Sequence, residues 1–332
     1  MKKYNNNIPI VGLLNFSKSV INKINLNNNN SNLYNICYIN ASMQCLFRID
    51  EFVDKILLFD GTNLSGATKQ LIYNMINKEP NLSAANIKSI MGEYNDIYKE
   101  NNPEDAREFI INYLNILLKE TFDENKISAL IYEKYYDQDL KKFFDKFYKL
   151  FIGKNIKKGT SFIFDLFYGI LKTYKFCKNC QSSNTVKLNS FNVLEMPGYS
   201  KKKKILNIKD IFKEFFSEKE TNLTCDKCYS KLISKTDIYI LPKCLIIYFG
   251  YNNYEYEYKK NSIEIVTQFN FKNCNFILKG IIYHKAYGKS GHFSASCLVN
   301  GDWYYFDDNY ANEERKSSII GKPIIFFYEK KN

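Results

Sequence analysis

The sequence predicts an α+β protein. Helical periodicity dominates residues 1–155, and alternating β-branched and aromatic runs dominate from about residue 160 onward. Two Cys-x-x-Cys pairs within the β-rich half add a third observation, because paired knuckles of this kind organise small sheets. With 332 residues, 45% hydrophobic and 16% aromatic, the chain has material for one large domain with a sizeable core.

The first segment is mixed. Ile8 to Phe16 has the composition of a short strand, and Asn27 to Asn30 reads as a low-complexity loop. A helix then begins near Cys37: Ile39, Met43, Leu46 and Phe47 recur at helical spacing, and Asn35 stands where an N-cap would. That places Cys37 in the first turn, where the helix dipole favours thiolate, the nucleophilic form. Taken alone, Cys37 reads better as a small buried residue than as a nucleophile, and the rest of the chain decides between them.

Residues 64–100 look helical but loosely punctuated. Asn102-Pro103-Glu104-Asp105 starts another helix, with Asn at the cap and Pro at the first helical position, and its stripe runs Ala106, Phe109, Ile110, Tyr113, Leu114, Leu117. Residues 123–155, charged and aromatic, continue the helical half. Phe162 to Thr173 is apolar with interspersed glycine, and Thr185 to Leu194 alternates. Ile238 to Tyr248, interrupted by Leu241-Pro242, then Ile263–Phe271, Phe276–His284, His292–Val299, Trp303–Phe306 and Ile324–Tyr328 read as strands. Gly301-Asp302 reads as a tight hairpin turn.

No run of about 18 uncharged apolar residues appears, so no membrane span is expected. The brief apolar patch Ile8 to Leu14 does not make a secretion signal, and an intracellular setting, cytoplasmic or nuclear, is expected. Thiols stay reduced there, which makes the nine cysteines ligands, nucleophile or core rather than disulfides. The net charge of +12 is spread along the chain without a basic stretch interleaved with stacking aromatics, so specific nucleic-acid binding is not expected. Lys201 to Lys204 reads as a loop tip.

Cys177/Cys180 and Cys225/Cys228 supply four thiolates, the donor set of a tetrahedral zinc. The long excursion between the pairs is tolerable if they sit on adjacent hairpin turns, since loop-closure cost grows only logarithmically. Four protein ligands leave the metal no open position, so such a zinc is structural. The chain has two histidines, His284 and His292. His292 follows Gly291 at a strand entrance, and a hairpin from that strand brings Asp307, at the end of Trp303-Tyr304-Tyr305-Phe306-Asp307-Asp308, beside it. A carboxylate there fixes the imidazole tautomer and stabilises the imidazolium. The resulting set is Cys37 as nucleophile, His292 as base and Asp307 as orienting acid.

These pieces together resemble the catalytic domain of the ubiquitin-specific proteases, papain-like deubiquitinating enzymes. The family's first box, near Asn-Leu-Gly-Asn-Thr-Cys-Tyr, stands here as Asn32-Leu33-Tyr34-Asn35-Ile36-Cys37-Tyr38, with Gln44 and Leu46 following. Its Gln-Asp-Ala-x-Glu-Phe box appears as Glu104-Asp105-Ala106-Arg107-Glu108-Phe109. The finger cysteine pairs, the Leu241-Pro242 strand, Gly291-His292-Phe293 and Trp303 to Asp308 follow in family order. The resemblance implies one catalytic domain over 1–332. It has a helical thumb (1–155) and a β-rich palm with zinc-bearing fingers (156–332, the fingers at roughly 174–250). It implies hydrolysis of the isopeptide or peptide bond after the ubiquitin C-terminal glycine through an acyl-enzyme, with ubiquitin or ubiquitinated proteins as partners and a monomeric state.

By the same carry-over, Asn32 donates to the oxyanion and Asp308 assists Asp307. Asp105 and Glu108 meet the basic ubiquitin tail, while His284 and Phe293 line its channel. Tyr34 and Ile36 depart from the family's Gly and Thr beside the nucleophile, and Gly12-Leu13-Leu14-Asn15 repeats part of the box upstream, which makes Asn15 a rival to Asn32 across an insertion. Two alternatives remain at this point: a catalytically impaired ubiquitin-binding pseudo-enzyme, and a protease for another ubiquitin-like modifier.

Overall fold

The computed structural model describes residues 8–15, 35–126, 137–153, 158–197, 205–250, 262–287, 290–313 and 321–331. Among the described residues, seven α-helices precede the main sheets: α1 (Cys37–Leu46), α2 (Asp50–Leu58), α3 (Leu64–Ile76), α4 (Ala85–Tyr94), α5 (Ala106–Glu120), α6 (Gln138–Phe147) and α7 (Phe162–Phe167). The strands are β1 (Gly169–Phe176), β2 (Ser183–Phe191), β3 (Leu194–Pro197), β4 (Ile205–Leu206), β5 (Lys219–Thr224), β6 (Lys231–Ile240) and β7 (Cys244–Gly250). They continue with β8 (Ser262–Ile263), β9 (Gln268–Phe271), β10 (Cys274–Tyr287), β11 (Ser290–Val299), β12 (Asp302–Asp307), β13 (Tyr310–Glu313) and β14 (Lys322–Lys330). One more helix, α8 (Ile208–Phe215), sits among the strands.

The largest sheet runs in the order β13-β12-β11-β10-β14-β7-β3, with β9 also on β10; a second sheet runs β2-β1-β6-β5. The large sheet is covered on both faces, and the side-chain alternation shows how. Ile246, Ile325 and Phe327 face the core made with the helices, whereas Leu245, Ile247, Phe249, Phe326 and Tyr328 face a second core with α8. Strands buried on both faces read as continuous apolar runs, which is why Cys244 to Phe249 carries no polar residue on either side.

Three details depart from the sequence expectations. Residues 8–15 form no strand. They run along α1 and the turn after it, where Asn40, Gln44 and Arg48 donate to the carbonyls of Leu13, Val11 and Ile8 at 3.2, 2.8 and 2.6 Å. Spacing of four residues puts all three on one side, so side chains stand in for a strand partner. Helix α5 begins at Ala106 rather than Pro103, because Asp105 accepts from both Arg107 and Glu108 N–H and so wins the cap over Asn102. The β11–β12 corner is Asn300-Gly301, both at positive φ, one residue earlier than expected.

Candidate active site and a four-cysteine cluster

Helix α1 packs across β10 and β11, so the thiol at its start faces the strand that carries His292. Cys37 is the first helical residue and 3% exposed. Ile36, not Asn35, occupies the N-cap position, without a side-chain cap. Asn35 lies just outside at φ 49° and donates its amide to the Asn101 carbonyl at 2.6 Å.

His292 hydrogen-bonds to Asp307 Oδ1 through Nε2 at 2.5 Å, and Cys37 is its other electrostatic neighbour. The Asp307 bond, then Cys37, push the imidazole up to about 11 against the opposing effect of burial. The ring therefore holds its proton across the neutral range, poised as an imidazolium beside sulfur. Gly291 precedes it for a steric reason: a Cβ there would sit 1.9 Å from His284 Nε2. His284 pairs with Phe293 across β10–β11, their ring centroids 4.7 Å apart. Burial lowers His284, with Asp105 pulling the other way and His292 adding to the drop. So Asp105, His284, Phe293 and His292 share one neighbourhood. Glu108 stands exposed one turn along α5.

Asp308 stays with the pair, a carboxylate oxygen within 4.8 Å of His292 and Asp307, and also reaches toward α1. It sits at φ 50° with its carboxylate turned to Asn15 Nδ2 and Asn40 Nδ2, each at 2.9 Å. Burial raises its carboxyl, and those two amides partly offset the rise. Asn15 in turn accepts the Ile36 N–H at 3.3 Å, and Leu13 N–H donates to the Asp308 carbonyl at 2.8 Å. Gly12 permits this approach, since a Cβ would come within 2.3 Å of the Asn309 carbonyl carbon. Asn15 thus stands beside the start of α1 with one amide hydrogen uncommitted to Asp308. Asn32 and Tyr34 lie outside the described residues. The polar stripe Asn40/Gln44/Arg48 was the missed sequence signal: it straps residues 8–15, and with them Asn15, to the nucleophile helix.

The second cluster lies at the tip of the β2-β1-β6-β5 sheet. Cys177, Cys180, Cys225 and Cys228 bring four sulfurs within 4.8 Å of one another. Cys177 to Cys228 is 3.4 Å and Cys180 to Cys225 3.6 Å. Zn–S bonds near 2.3 Å in a tetrahedron require sulfur separations of about 3.8 Å, so the set fits a metal. The two knuckles share one backbone form. In each, the first Cys N–H donates to a serine carbonyl, Cys177 to Ser182 and Cys225 to Ser230, at 2.9 and 2.8 Å. The residue after the second Cys is left-handed in both, Gln181 at φ 54° and Tyr229 at φ 60°. The Ser182 hydroxyl lowers Cys225, and bonds from Ser230 hold Cys228 down at about 6, which suits thiolate ligation.

The family model described as ubiquitin carboxyl-terminal hydrolase matches residues 29–328. Ubiquitin carboxyl-terminal hydrolase 4 of Eremothecium gossypii is 24% identical over 410 aligned positions, covering 98% of this chain and 45% of that protein. Ubiquitin carboxyl-terminal hydrolase 2 of Bos taurus is 24% identical, covering 90% of this chain and 54% of its own length. The chain therefore spans about half the length of these relatives. Among solved structures, the SAGA Ubp8/Sgf11/Sus1/Sgf73 DUB module bound to ubiquitin aldehyde contains a chain with TM-score 0.68 and 18% identity, over 99% of this chain and 71% of that one. The same module bound to monoubiquitin gives 0.70 at 16% identity, over 98% and 70%. The α+β fold is shared with a chain of each of those modules. With its family model covering nearly the whole chain, this protein belongs to the ubiquitin carboxyl-terminal hydrolase family.

Proposed function

We propose that this domain is a thiol-dependent deubiquitinase, cutting the isopeptide or peptide bond after the ubiquitin C-terminal glycine. One observation carries the reading: His292 hydrogen-bonds to the Asp307 carboxylate and has Cys37, at the start of α1, as its other electrostatic neighbour. The Cys37 proton goes to His292 and the sulfur attacks the glycine carbonyl carbon. The tetrahedral oxyanion collapses to a thioester, and the His292 proton passes to the leaving lysine or α-amine. Water, deprotonated by His292, then releases the ubiquitin carboxylate and restores the thiol. Asn15 is the oxyanion donor in this reading, in place of Asn32. Its free amide hydrogen lies at the start of α1, where the first-turn N–H groups also point. Asp105, Glu108 and the Glu104 carboxylate beside them form an acidic rim suited to a basic tail, and His284 with Phe293 walls the narrow approach. The four cysteines hold a structural zinc, with no open ligand position and no part in the reaction. The helical residues 1–155 act as thumb, the sheets as palm and fingers.

A ubiquitin derivative with a C-terminal electrophile tests this. It should modify Cys37 alone and block turnover. Failure to react, with the other thiols labelled equally, would remove the nucleophile assignment. The same electrophile carried on other ubiquitin-like modifiers separates the alternative specificity.

A further inference from the structure

Lys88 is the odd residue of the helical half. It sits on α4 with 0% exposure, a lysine buried where its neighbours Ile87 and Met91 are apolar. Its Nζ donates to Asn101 Oδ1 at 2.8 Å. The main-chain carbonyl of that same Asn101 accepts the Asn35 amide at 2.6 Å. Asn35 is left-handed at φ 49° and stands two residues before Cys37. The next N–H, that of Ile36, donates to Asn15. A buried ammonium, a loop asparagine and the turn before the nucleophile therefore form one continuous chain of bonds. Burying a lysine is costly, and nothing about packing α4 requires one.

We propose that Lys88 is a positioning residue: through Asn101 it holds the Asn35 turn so that the first-turn N–H groups and Asn15 converge on the reacting carbonyl oxygen. The inference rests on the deubiquitinase reading above and adds a residue to its machinery. Removing Lys88 frees Asn101 and lets the turn relax, which disturbs transition-state geometry more than ubiquitin binding. The ammonium is the form that holds Asn101 firmly. Burial lowers it to about 8, against a smaller opposing pull from Glu104. Glu104 is itself raised by burial and by Glu108, Glu100 and Asp105. Tyr98 and Tyr38, which also face Glu104, are driven up by burial and stay neutral.

The test compares wild type, Lys88→Met and Lys88→Arg as full chains, with the active fraction counted by a ubiquitin C-terminal electrophile. Per active site, Lys88→Met should lose about tenfold in kcat with KM unchanged, as expected for misplaced reacting groups. Its melting temperature should stay or rise, because an apolar residue replaces a buried charge. Wild-type kcat should show an alkaline limb near 8 that Lys88→Met lacks and Lys88→Arg moves to higher pH. Asn101→Ala should add little on top of Lys88→Met. An unchanged kcat in Lys88→Met overturns the proposal while leaving the deubiquitinase reading intact. So does a loss fully accounted for by a smaller active fraction and a lower melting temperature. A wild type that neither reacts with the electrophile nor turns over removes both.

Discussion

The nucleophile end and the cysteine-cluster end of this molecule are ordered by different means. All ten residues of α1 are buried, and two of its side chains, with Arg48 from the turn after it, strap residues 8–15 in place. Removing one contact there leaves many others. At the cysteine cluster, the buried core is Cys177, Cys225 and Leu232, with Cys228 packed against it, and β5 is exposed along most of its length. A core of that size cannot offset the entropy of ordering the outer ends of these strands, whose inner residues Ile170, Ile238 and Ile240 join the main cores instead. The lesson is that one end draws its order from apolar burial and the other from its ligand set. In the proposed reading, the Cys37 site should therefore tolerate loss of the sheet tip better than the tip tolerates loss of a metal from its four cysteines.

The sharpest way to break that contrast is Cys225→Ser. Zinc-finger peptides draw about 10–16 kcal/mol from their metal, so losing one of four thiolates should empty the site and unfold the tip. Zinc content measured by mass spectrometry should fall to background, and amide exchange should lose protection in β1, β2, β5 and β6 while α1 and β11 keep theirs. Retained zinc in Cys225→Ser would refute the metal reading, and loss of protection across α1 would refute the contrast.

The next largest effect lies at the other end. Asn15→Ala should lower kcat by about a hundredfold or more, the cost of one oxyanion donor, while Asn32→Ala should lower it far less. The reverse order would return the role to Asn32. Asp307→Asn comes next. The Asp307 bond is the foremost reason His292 keeps its proton up to about 11. A group raised in this way holds its charged form below that value and loses it as pH rises through it. The variant should therefore lose activity at lower alkaline pH than wild type, and turnover near neutrality should drop roughly a hundredfold. An alkaline limit that stays in place would show that Asp307 does not set the His292 proton.

Much of the candidate site was legible because its chemistry is written in rare residue types. There are two histidines, and one stands at a strand entrance ahead of a Phe-Asp-Asp hairpin end; four of the nine cysteines fall in matching pairs. Those residues announce themselves at any distance along the chain. Asn15 does not. The partial box Gly12-Leu13-Leu14-Asn15 marks it as a rival ranked below Asn32, but the residues between it and Asn35 interrupt the box, and the bonds from Asn40, Gln44 and Arg48 show where it goes. Residues 8–15 had strand composition but found side chains rather than a strand to bond. Helix α8 hid beside a lysine run, although Ile208, Ile211, Phe212 and Phe215 keep helical spacing. At the start of α5, Asn102 and Asp105 are both good caps, and only the bonds to Arg107 and Glu108 N–H decide between them.

Asp105 gives the smallest effect and separates two roles that coincide in one side chain. Its Oδ1 accepts from Arg107 and Glu108 N–H at 2.8 and 3.1 Å, which caps α5. Its charge also reaches His284, on the approach to His292. Asp105→Ala removes both and should cost about 1 kcal/mol of stability, seen as a lower denaturation midpoint. Asp105→Asn keeps the capping oxygen and removes only the charge, so the midpoint should hold while KM for ubiquitin substrates rises. If Asp105→Asn leaves KM untouched, the carboxylate serves the helix alone, and the acidic contact for a basic tail falls to Glu108 and Glu104.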